Sequence, residues 1–156
     1  MKFMVAFSSP KRSAKTVEMA AQHAKALGAE LILVRVIADP HKVGVIAELI
    51  ATDRPADKAK EQVEAVAAEL RKEGLNASGI VKVDEVAQGI VKAVLEYKVD
   101  LLFLGTVNVV PKPAFVIDKD PIAHYAIDHC PISVCLVRQE DLPEEEEANE
   151  SYGQYT

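Results

Sequence analysis

A chain of 156 residues fits one domain with a core of its own, without disulfide or metal staples. It is 49% apolar and 27% charged, a globular balance, and no apolar run is long enough to cross a bilayer. A net charge of −6, few aromatics and no tryptophan argue against a nucleic-acid partner, since basic surface and stacking platforms are both scarce.

The first run, "KFMVAF", is short and apolar and ends at Ser8-Ser9-Pro10. It lacks the long apolar region and small-residue cleavage site of a leader, so it reads as a first strand and the protein as cytoplasmic. Ala14, Val17, Ala20, Ala21, Ala24 and Leu27 then recur at helical spacing, with Ser13 as N-cap and Gly28 as the stop. "ELILVRVI" is a β-branched second strand. Pro55 opens a second helix, carried by Ala59, Val63, Val66, Ala67 and Leu70 and closed by Gly74. "SGIVKV" is the third strand, and Asp84 is placed to cap a third helix with the pairs Val86/Ala87, Ile90/Val91 and Val94/Leu95. "DLLFLGT" is the fourth strand. Asp120-Pro121 starts a fourth helix with Ile122, Ala123, Ala126 and Ile127 inward, and "ISVCLVR" is the fifth strand.

Strands alternating with helices imply right-handed crossovers, parallel strands and helices on both faces of the sheet. Near-continuous apolar strands 1, 2 and 4 read as buried on both sides. The fold class is α/β, a single doubly wound domain with a five-stranded parallel sheet. Two segments fall outside the repeat. Residues 39–53, "DPHKVGVIAELIATD", are expected to form a short amphipathic helix patching the sheet edge, with a lid as the alternative. Residues 139–156, "QEDLPEEEEANESYGQYT", read as an acidic disordered tail following a domain at 1–138.

Ligands of open parallel sheets bind beyond the carboxyl ends of the strands, where strand order reverses. With five strands the reversal falls between strands 1 and 4, close to Ser8, Ser9 and Pro10, Val36 to Asp39, and Gly105 to Asn108. Lys11 and Arg12 in "SSPKRS" could attract an anion at the start of the first helix, although capping and solvation account for them as well. Cys130 and Cys135 are separated by four residues with no second pair, so Cys135 reads as a small buried hydrophobe rather than a zinc ligand. His124 and Asp128 lack a third ligand and make no metal site. Ser8 and Ser9 have no assignable His–Asp partners, so no catalytic constellation is found and the protein is read as no enzyme.

Taken in order, several pieces resemble the universal stress protein family. "VAFSSPKRSAKTVEMAAQHAKALGAELILVRVI" is similar to its opening strand, helix and strand, "VDLLFLGT" to its fourth strand, and "IAHYAIDHCPISVCLVR" to its closing helix and strand. The resemblance runs from Phe3 to Arg138. It implies the strand order 3-2-1-4-5 and an adenine nucleotide site in some members. Such members carry a Gly, a second Gly three residues on and a Gly-Ser or Gly-Thr further along, so that backbone and helix N-terminus can approach the phosphates. In this sequence Gly105 keeps the first position, Asn108 replaces the second glycine, and Asp120-Pro121 takes the place of the last pair. The family's frequent Asp at the end of strand 1 is Ser8, while Val36 matches the position whose backbone contacts the base. Ser8, Val36, Gly105 and Asn108 therefore form a degenerate nucleotide site, with no cofactor expected, or at most a weakly held adenine nucleotide.

Three functions follow: a stress-response regulatory module with little or no ATP affinity and an unidentified protein partner; a sensor of adenosine, AMP or a cyclic dinucleotide; or a hydrolase or transferase of the same fold. In the resembled order, strand 5 is an edge, and "ISVCLV" has no lysine, proline or glycine to blunt it, which points to a homodimer.

Overall fold

A computed structural model describes residues 1–39, 54–107 and 120–139. The predicted edge helix or lid within 40–53, Asn108 with the loop to residue 119, and the acidic tail from 140 onward lie outside the described residues.

Among the described residues nine elements follow one another: β1 (Lys2–Ala6), α1 (Ala14–Leu27), β2 (Glu30–Ala38), α2 (Arg54–Lys72), β3 (Ala77–Asp84), α3 (Val86–Glu96), β4 (Leu101–Thr106), α4 (Pro121–His129) and β5 (Ser133–Arg138). The strands are parallel in the order β3-β2-β1-β4-β5, as expected. Side chains alternate across each strand, so a doubly covered sheet needs two cores. On one face Phe3, Val5, Leu31 and Phe103 pack against Val17 and Ala20 of α1 and Val63 and Ala67 of α2. On the other, Met4, Ile32, Val34 and Leu102 pack against Ile90 and Val94 of α3 and Ala123 and Ala126 of α4. Burial of the central strands on both sides is thus observed.

Strand lengths create the opening that matters. β1 stops at Ala6, paired with Val34, whereas β2 runs on alongside β3 as far as the Ala38–Asp84 pair. On its other side β1 parts from β4 after Val5–Phe103, while β4 and β5 stay paired to Thr106–Arg138. The sheet is therefore notched at the carboxyl end of its middle strand.

The helices depart from the sequence reading at their ends. Leu27, Leu95 and Ile127 are exposed rather than inward. Each lies in the last turn of its helix, shortly after a buried residue (Ala24, Val94 or Ala126), so the core-facing stripe is narrower than the run of apolar residues. Ala14 is also exposed, and Thr16 takes its place among the buried residues of α1. Gly28 ends α1 at φ 66, the left-handed conformation a helix stop requires. Asp84 is the last residue of β3, not the cap of α3. The N-cap is Glu85, and the Asp84 carboxylate accepts from Glu85 N at 2.7 Å and from Lys92 Nζ at 3.0 Å. Nearby on β3, Lys82 pairs with Glu96 at 2.8 Å, and this hydrogen-bonded carboxylate raises the ammonium pKa above its ordinary value.

Gln139, assigned to the tail from sequence, is tied to the sheet: its amide donates to Thr106 O at 3.0 Å. Cys130 and Cys135 are free thiols of intermediate exposure, packed against opposite cores. Among the described residues no helix is long and apolar enough to cross a membrane.

Candidate functional site

The notch at the end of β1 opens into a cleft of about 410 Å³, within the usual range for a small-molecule site. It lies where the chain crosses from β1 to β2 on one side and β4 on the other, as the topology predicts. The cleft has two halves. Val34, Val36, Val86, Ile90, Leu104 and Ile122 make an apolar end. Ser8, Arg12, Arg35, Thr106, Asp120 and Gln139 make a polar end.

The apolar end owes its shape to a close approach of α3. A side chain on Gly89 would place its Cβ 2.7 Å from Val36 Cγ1, so glycine lets the helix lie directly on the end of β2. Val36 is buried there and lines the cleft.

The β1–α1 loop is held by its serines. Ser8 N donates to Ser13 Oγ at 2.9 Å, and the two hydroxyls are 3.1 Å apart. Arg12 N donates to Ser9 Oγ at 3.1 Å. Ser13 precedes α1 as expected, but its hydroxyl makes no cap bond to the helix; it anchors the loop instead. This turn brings Arg12 to the wall of the cleft.

The β4–α4 side is organised by Asp120. Its carboxylate accepts from Ala123 N at 3.0 Å, which caps α4, and from Thr106 Oγ1 at 2.5 Å. Pro121 occupies the first helical position, where its missing N–H costs no bond. The predicted cap is therefore present, and its acceptor oxygens occupy the N-terminus of α4, the end that would otherwise attract an anion.

Gly105 has a local structural reason. A Cβ at this position would lie 2.5 Å from Gln139 Oε1 and 2.6 Å from Thr16 Oγ1. Thr16 donates to Gln139 Oε1 at 3.1 Å across the glycine, joining α1 to the end of β5. Neither Thr16 nor Gln139 stands out in the sequence, and the β4–β5 register that pairs Thr106 with Arg138 and so brings Gln139 N to Thr106 O is a tertiary fact.

Ser8, Val36 and Gly105 thus line one cleft, while Asn108 lies outside the described residues. Among the described residues no group of three His, Cys, Asp or Glu side chains could hold a metal ion. His129 stacks on Tyr125, with ring centroids 4.3 Å apart.

Comparison with known proteins gives the same architecture. A universal stress protein family structure from Burkholderia pseudomallei superposes with a TM-score of 0.69 at 16% identity, covering 87% of this chain and 94% of that one. A universal stress protein from Archaeoglobus fulgidus in complex with dAMP gives 0.63 at 18%, covering 86% and 94%. A family protein from Arabidopsis thaliana with AMP bound gives 0.63 at 12%, covering 90% and 92%. No curated protein matches the chain. The model of the universal stress protein family matches residues 1–138. The fold, the switch-point cleft and that match over nearly the whole described chain make this protein a member of the universal stress protein family.

Proposed function

We propose that this protein is a homodimeric regulatory module of the stress response whose cleft takes adenosine or AMP and has little or no affinity for ATP. The observation that carries this reading is the Asp120 carboxylate at the N-terminus of α4, already bonded to Ala123 N and Thr106 Oγ1. Its negative charge opposes a polyphosphate where the helix end would otherwise stabilise one. The apolar end formed by Val36, Val86 and Ile90 suits a planar base, and the dAMP and AMP held by the two relatives support an adenine ligand. In this reading the protein acts by binding rather than catalysis and passes its signal to a protein partner. Dimerisation through β5 is supported by its place at the sheet edge.

Calorimetry with adenosine, AMP and magnesium ATP tests the reading. Heat of binding is expected for the first two and none for ATP at ordinary concentrations. Purification of the protein with stoichiometric ATP would overturn it. A hydrolase or transferase would instead be revealed by turnover of nucleotide recovered with the protein.

A further inference from the structure

The two walls of the polar end carry opposite charge. Arg12, on the β1–α1 loop, and Arg35, on the part of β2 that outruns β1, line one side. Asp120 lines the other, with Thr106 donating to it. An anionic group entering the cleft meets attraction on the first wall and repulsion on the second. Resting on the adenosine or AMP reading of the same cleft, we infer that the ligand's phosphate is seated against Arg12 on the β1–α1 wall, leaving the β4–α4 wall to neutral donor groups.

The chemistry of each wall suits that assignment. A guanidinium presents a fork of N–H donors matched to phosphate oxygens. The loop bearing Arg12 is held by the Ser8–Ser13 and Arg12–Ser9 bonds, so the side chain starts from a fixed backbone. Asp120 can accept from ribose hydroxyls or an exocyclic amine, groups that carry no charge. The preferred ligand class is accordingly a nucleoside with a compact phosphate, its hydroxyls or amine toward α4. Chains of phosphates are disfavoured because they would extend from the Arg12 wall across to Asp120.

The experiment has two arms. In the first, inorganic phosphate is titrated into isotope-labelled protein and backbone amide shifts are followed by NMR. Shifts are expected at residues 8–16, and they should vanish in Arg12→Gln and persist in Arg12→Lys. Shifts centred on 105–107 and 121–124, or no phosphate response, would overturn the seat. In the second arm, calorimetry compares AMP with adenosine. AMP is expected to bind tighter by about tenfold to a hundredfold, the worth of one charge-assisted contact, with the preference collapsing in Arg12→Gln. An unchanged preference in that variant would overturn the inference. If neither nucleoside binds but phosphate still shifts the Arg12 loop, the adenosine reading falls while the anion seat stands.

Discussion

The Thr106 hydroxyl, at the end of β4, donates at 2.5 Å to Asp120, the residue that caps α4. One carboxylate thereby fastens a strand end to a helix start across thirteen intervening residues, of which 108–119 lie outside the described chain. Thr106 is buried, so its hydroxyl depends on that acceptor.

Asp120→Ala is expected to lower stability by about 1–2 kcal/mol, from loss of the cap together with the orphaned Thr106 hydroxyl. Thr106→Val should cost about 0.5–1.5 kcal/mol, because it removes the donor and leaves the cap in place. Urea denaturation of both single variants and the double variant measures their coupling. Strictly additive losses would show that the two residues do not act together.

Restoring the family's phosphate loop should restore ATP. Replacing Asn108 with Gly and Asp120-Pro121 with Gly-Ser removes the opposing charge and frees helix N–H groups. If two charge-assisted bonds are regained, affinity should rise by about two to four orders of magnitude. Calorimetry with magnesium ATP on the variant gives the answer, and an unchanged, undetectable affinity would show that these three positions do not govern ATP binding.

Gly105→Ala is expected to destabilise by about 1–3 kcal/mol, since its Cβ would intrude on the Thr16–Gln139 bond. Gln139 is the end of a flexible side chain, so most of the cost should disappear when Gly105→Ala is combined with Gln139→Ala. Thermal unfolding of the pair checks this. An equal cost in both backgrounds would locate the clash at Thr16.

Truncation after Gln139 should change stability by about 0.5 kcal/mol or less, the range of ordinary surface changes. Truncation one residue earlier, after Arg138, removes the bonds from Gln139 to Thr106 and Thr16 and should cost about 1 kcal/mol more. Equal midpoints for the two truncations would show that the Gln139 contacts contribute nothing.

Sedimentation equilibrium should give twice the 16.9 kDa chain mass. Ser133 is exposed on β5, and Ser133→Lys should shift the protein toward monomer by placing a charge on the open edge. A wild-type protein that is monomeric and soluble at micromolar concentration would remove the dimer from the proposal.

The α/β order, the doubly buried strands and the Asp120-Pro121 start of α4 were legible because they are local: periodicity, β-branching and cap chemistry act within a few residues. Sequence also placed Ser8, Val36 and Gly105 near one another, since parallel topology brings the carboxyl ends of β1, β2 and β4 to one edge. Leu27, Leu95 and Ile127 are exposed although apolar, because composition alone does not say how wide a stripe of each helix the core covers: Ala24, Val94 and Ala126 in the same turns are buried. Asp84 reads as a cap, whereas pairing with Ala38 keeps that residue in β3. What only the tertiary structure decided are the long-range relations: Thr16 reaching Gln139 across Gly105, and Arg12 and Asp120 lining one cleft. Those depend on strand register and on how far each strand outruns its neighbour, and both are set by packing between residues distant in sequence.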